Sequence, residues 1–102
     1  MPHILVVHES ATLRAELAQG FQAEGCTVAE ADSSAAAIRE IWSGSFDAAL
    51  VSAAMPNVSG SSLEEHLRNL APEIITVSIR REATSRLIRR VMELLDGGAV
   101  AA

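Results

Sequence analysis

Lysine and tyrosine are absent from this chain of 102 residues, and cysteine and tryptophan occur once each. Each absence excludes something. The lone Cys26 cannot form an intrachain disulfide or a cysteine-based metal cluster, and three histidines add no metal-ligand spacing. With Trp42, Phe21 and Phe46 as the whole aromatic complement, the core must come from Leu, Ile, Val and Ala. No apolar run approaches the roughly 20 residues of a membrane span, and MPHILVV lacks the basic flank and long apolar stretch of a signal peptide. A cytoplasmic protein that does not enter the membrane is the expectation.

What is present is a globular composition, 49% apolar and 21% charged, long enough for one core. The net charge of −5 argues against general nucleic-acid binding. That charge is uneven: 3 Arg stand against 10 acidic residues up to position 77, then 5 Arg against 3.

Short β-branched runs alternate with stretches of helical period. His3-Ile4-Leu5-Val6-Val7 is a continuous apolar run, expected of a parallel strand buried on both faces. Ser10 can cap a helix with Leu13, Leu17 and Phe21 on one side and Gly25 as its stop. Cys26 to Ala31 reads as a strand. Asp32, Ser33 and Ser34 offer caps for a helix holding Ile38, Ile41 and Trp42 and ending near Gly44. A third strand is expected over Phe46 to Ser52, then a helix from Ser61 or Ser62 with Leu63, Leu67 and Leu70 inward, broken by Pro72. A fourth strand over Ile74 to Ile79 precedes a helix from about Glu82 to Leu95, stopped by Gly97-Gly98. The expected fold is α/β, a doubly wound parallel sheet of flavodoxin-like kind, in which sites form at the carboxyl ends of strands. Those ends hold His8-Glu9, Ser52 and Ser78. Residues 1–96 are expected to be the domain and 97–102 a flexible tail.

Met55-Pro56-Asn57-Val58-Ser59-Gly60 after the third strand, with Phe46-Asp47-Ala48-Ala49-Leu50-Val51 leading into it, resembles the receiver domains of two-component response regulators. VVHES occupies the place of that family's acidic pair, and Gly98-Ala99 resembles the pair before its fifth strand. The resemblance implies a bacterial signalling domain in which two acidic residues hold Mg²⁺. An aspartate then accepts a phosphoryl group, a Ser or Thr responds, and a lysine pairs with the phosphate. Carried onto this chain, the first acidic position is His8, the second Glu9, the acceptor Ser52 and the responding hydroxyl Ser78. The lysine has no counterpart, and the fifth strand and helix are missing or atypical. A serine is a poor nucleophile without an adjacent base, and Glu9 alone would bind Mg²⁺ weakly. The expectation is a degenerate pocket with no cofactor and no enzymatic activity; His8, at a strand end that converges with that of Ser52, is weighed as its base with Glu9 nearby, but Ser52 lacks the glycine-rich elbow of a hydrolase nucleophile.

The last helix offers the other lead. Arg86, Arg89 and Arg90 fall within a stripe about 100° wide on an ideal helix, and Arg80 and Arg81 extend it. Leu87, Ile88, Val91, Leu94 and Leu95 take the opposite side, the last two as a possible apolar anchor. A solvated helix face accounts for this pattern as readily as a contact surface for an acidic or apolar protein partner. In the family, the resemblance adds, the region from fourth strand to fourth helix is where activation is read out. The expected function is a phosphorylation-independent adaptor or dimerisation module, with a homodimer or other partner covering the sheet where the fifth strand is missing. A conditional Mg²⁺ or phosphate switch through Glu9 and Ser52 is one rival. A transcription regulator using the arginines is the other.

Overall fold

The computed structural model describes residues 1–52, 63–80 and 83–101. Four parallel strands alternate with four helices: β1 His3–Val7, α1 Ala11–Ala23, β2 Thr27–Ala31, α2 Ser34–Ser43, β3 Ala48–Ser52, α3 Leu63–Leu70, β4 Ile75–Ile79 and α4 Thr84–Ala101. The sheet order is β2-β1-β3-β4. β1 and β3 are central and buried almost throughout, which is why both read as unbroken apolar runs rather than alternating ones.

The termini of the first two helices follow from side-chain chemistry. Ser10 and Ser33, both in extended conformation, accept from the main-chain N–H of Leu13 and Ala36 and satisfy donors the helices leave open. Gly25 takes φ +86°, the left-handed region that favours glycine, and this closes α1. Cys26 N–H then returns to the Phe21 carbonyl, so Cys26 belongs to the helix end and β2 begins one residue later.

Three expectations are corrected. Trp42 is 74% exposed: Ile38 and Ile41 pack on the sheet, and one further residue turns the chain about 100° toward water. Leu70, the last residue of α3, is 37% exposed and borders a surface groove with Ile41, Phe46, Pro72 and Ile74. The final helix runs past Gly97-Gly98 to Ala101, with neither glycine in the left-handed conformation of a helix stop. Glycine weakens a helix interior by about 1 kcal/mol relative to alanine but ends one only by adopting that conformation.

Two apolar clusters fill the two faces of the sheet. Ile4, Val6, Leu50, Val77 and Ile79 pack against Leu17 and Phe21 of α1 and Leu87, Ile88 and Val91 of α4. Leu5, Val7, Ala49 and Val51 pack against α2 and α3 through Ala37, Leu63 and Leu67. So α4 lies beside α1. The two run side by side in one direction, with Thr84 at Glu16, Ile88 at Gly20 and Met92 at Cys26.

That placement decides what the sheet can become. Right-handed crossovers put α1 on one face, because β1 to β2 steps one way, and put α2 and α3 on the other, because β2 to β3 to β4 steps back. A helix leading to a further strand beyond β4 would therefore lie with α2 and α3. Since α4 lies with α1, β4 is the edge of the sheet this chain makes, and among the described residues no fifth strand pairs with it.

Candidate functional site

The carboxyl ends of β1 and β3 bring His8, Glu9 and Ser52 together. Ser52, the last residue of β3, is 5% exposed, and its Oγ donates to Glu9 Oε1 at 3.2 Å. The same Oε1 lies 3.4 Å from His8 Nε2. His8 Nδ1 is 2.9 Å from the main-chain nitrogen of Ser10. A main-chain N–H can only donate, so Nδ1 accepts, and the ring proton of the neutral imidazole sits on Nε2, facing Glu9. The carboxylate is thus the shared acceptor between a hydroxyl and an imidazole. The base that a serine nucleophile would need is aimed at Glu9 and not at Ser52.

Arg14 is the part of this site that the sequence did not reveal. Its Nη1 donates to the His8 carbonyl at 2.6 Å, and its Nε lies 3.4 Å from Glu30 Oε1 on β2. A cation in the first turn of a helix opposes the helix dipole, so Arg14 four residues after the Ser10 cap was a signal that some other partner holds it.

Ser78 is placed differently. It stands across from Val51 in the β3–β4 register, while Ile79 stands across from Ser52. Successive strand residues point to opposite faces, so the side chains of Ser52 and Ser78 leave the sheet on opposite sides. The loop residues Met55, Pro56, Asn57 and Gly60, and the loop arginine Arg81, lie outside the described residues.

The donor set does not fit the Mg²⁺ that the resemblance implied. Mg²⁺ requires an octahedron of oxygens, carboxylate above all, and the carboxyl ends of β1 and β3 supply one carboxylate, already accepting from Ser52, with an imidazole beside it. Among the described residues, no three His, Cys, Asp or Glu side chains gather so as to hold a metal ion.

On α4, Arg86, Arg89 and Arg90 are exposed, as is Arg80 after β4. Leu94 is 45% exposed and Leu95 half-buried against the α1–α4 core. Arg89 borders a groove between α1 and α4 that also holds Glu24, Glu93 and Asp96, so this flank is mixed in charge.

A parallel α/β domain with polar side chains gathered at the carboxyl ends of its central strands has the flavodoxin-like architecture. The chain belongs to the response regulator receiver domain family, which matches residues 4–100. It is similar in structure to a CheY-like receiver domain from Methanospirillum hungatei, at 18% identity and TM-score 0.84, with 100% of this chain and 99% of that one covered. It is also similar to the Thermotoga maritima response regulator TrrA, solved with Mg²⁺-BeF, at 20% identity, TM-score 0.76 and 92% and 99% coverage. A third likeness is to the chemotaxis response regulator CheY4 of Vibrio cholerae, at 14% identity, TM-score 0.78 and 93% and 98% coverage. No curated protein matches the sequence. Among the described residues, no helix is long and apolar enough to cross a membrane.

Proposed function

We propose that this receiver domain signals by protein–protein contact, independently of aspartyl phosphorylation, as an adaptor or dimerisation module of a bacterial signalling pathway. One observation carries the reading: at the acceptor position stands Ser52, whose hydroxyl donates to Glu9. A phosphoryl-accepting carboxylate there would be the nucleophile, with a cation to offset the incoming charge. Here the nucleophile is a neutral hydroxyl bound to the residue that should hold the cation, and the chain has no lysine to pair with a phosphate. The exposed arginines Arg86, Arg89 and Arg90, with Leu94, then form the contact surface for an acidic or apolar partner.

The test is an intact-mass measurement after incubation with Mg²⁺ and acetyl phosphate, with Ser52→Asp treated alongside. The expected result is no phosphoryl mass on the native chain and a gain on Ser52→Asp. A phosphoryl gain on the native chain overturns the reading.

A further inference from the structure

The outer side of α4 carries two arginines followed by two acids at regular spacing. Arg86, Arg89, Glu93 and Asp96 follow one another at steps of three, four and three residues, and all four are exposed. At 100° per residue they fall in a stripe about 80° wide. Leu87, Ile88 and Val91, which pack into the core, take the opposite side of the helix. The stripe therefore points away from the sheet. Steps of three and four residues are the ones that hold a seam on one side of a helix and turned toward a neighbour.

Among the described residues, none of these four side chains has an ion-pair partner. Arg86 also sits in the first turn of α4, which holds no acidic residue, and a cation there opposes the helix dipole. Arg14 has the same problem at the start of α1, and there the His8 carbonyl and Glu30 hold it. Arg86 has no such holder among the described residues.

We propose that a second copy of this chain takes up these charges, two α4 helices lying antiparallel across a twofold axis at the level of Val91. The inference rests on the reading of α4 as the contact surface and names its acidic partner, the later half of the same helix. A twofold contact demands a patch that complements itself, and the order Arg-Arg-Glu-Asp supplies one. With position 91 of each copy level with the other, Arg86 meets Asp96 and Arg89 meets Glu93, and each pair forms twice. No other level of the axis gives every charge on the stripe an opposite partner. A parallel pair would set like against like.

The neighbouring helix fits this arrangement. Arg89, Glu93 and Asp96 border the groove between α1 and α4, whose lining includes Gly20 and the half-buried Met92. The aliphatic stems of the facing arginines would lie over that lining while their charged ends stay in water. Glu24 borders the same groove, near the Cys26–Met92 contact, so an arriving Arg86 finds a second carboxylate beside Asp96. Exposed ion pairs are individually weak, and four of them with a small apolar contact give a dimer of modest affinity.

The experiment is the molar mass of the full chain by sedimentation equilibrium at about 0.5 mM, a concentration that populates a dimer of Kd about 0.1 mM. The native chain is expected near twice 10.8 kDa. Arg89→Glu alone and Glu93→Arg alone are each expected to weaken the dimer roughly tenfold, because either sets like charges face to face at two places. The two reversals move the net charge in opposite directions, so a loss common to both reports the facing pairs. Combining them is expected to restore the dimer. All the altered side chains are exposed, so none of the variants disturbs the core. A native monomer overturns the proposal and leaves the stripe to an acidic segment of another protein. A dimer indifferent to the single reversals overturns it too, as does one that the paired reversal fails to recover. None of these results touches the Ser52 reading, which the acetyl phosphate experiment decides independently.

Discussion

Cys26 is shut away from water at the end of α1, with its sulfur 3.7 Å from Met92 Sδ. Burial pushes the thiol pKa up, and the Glu24 carboxylate adds to the shift. The thiolate is the reactive form, so a maleimide reagent is expected to label the native protein far more slowly than the urea-unfolded chain at neutral pH. The same shift links stability to pH. A thiol harder to ionise in the folded state contributes stability that is fully present below its unfolded pKa of about 8.5 and is lost as pH rises through the folded value. Urea titrations across that range should show the loss, and Cys26→Ser should flatten it. A native thiol that labels as fast as the unfolded one would contradict the burial. At this scale the sequence was informative about identity and silent about partners. That His8, Glu9 and Ser52 share a site followed from strand ends; that Glu9 is the common acceptor did not, because a bond between residues 43 positions apart depends on exact side-chain directions.

Among the elements, α1 and α4 meet directly at Gly20. A Cβ built there would clash with Ile88 Cδ1, so the glycine is present for approach, not for turning. Replacing it by alanine raises helix propensity by about 1 kcal/mol and displaces the tip of a buried isoleucine, which costs about as much off its rotamer. Gly20→Ala is therefore expected to be near neutral alone. In an Ile88→Val background, where Cδ1 is gone, the same change should stabilise by about 1 kcal/mol. A double-mutant cycle by urea unfolding reads the coupling directly, and strict additivity of the two changes would show that the helices do not meet there. Capping serines and the Gly25 stop made the limits of α1 and the start of α2 legible in advance, whereas Gly97-Gly98 did not end α4. Which face of the sheet α4 covers was not legible: its amphipathic stripe marks an inward side but carries no information about which layer that side meets. The expectation of a helix at the fourth position of the series held in sequence order and missed the return to α1.

Across the whole molecule, charge is partitioned more sharply than the net −5 suggests. The acidic residues outnumber arginines along the first three-quarters of the chain, and Arg80, Arg86, Arg89 and Arg90 lie exposed on its last helix and the approach to it. A solvated face and a contact face make different predictions about anions. If α4 is only solvated, a short polyglutamate peptide meets a protein of its own sign and is repelled. If it is the contact surface, local field exceeds net charge within a Debye length of about 10 Å at 0.1 M salt. The amides of Arg86, Arg89 and Arg90 should then shift on peptide addition in an NMR titration, while those of β2 and α2 stay still. The shifts should vanish toward about 1 M salt, where screening shortens to about 3 Å. Reversal of Arg86, Arg89 and Arg90 to Glu should remove them at every salt concentration while leaving stability changed by no more than about 1 kcal/mol, because all three side chains are exposed. Shifts spread over the whole surface, or surviving the triple reversal, would return the arginines of α4 to an ordinary solvated face.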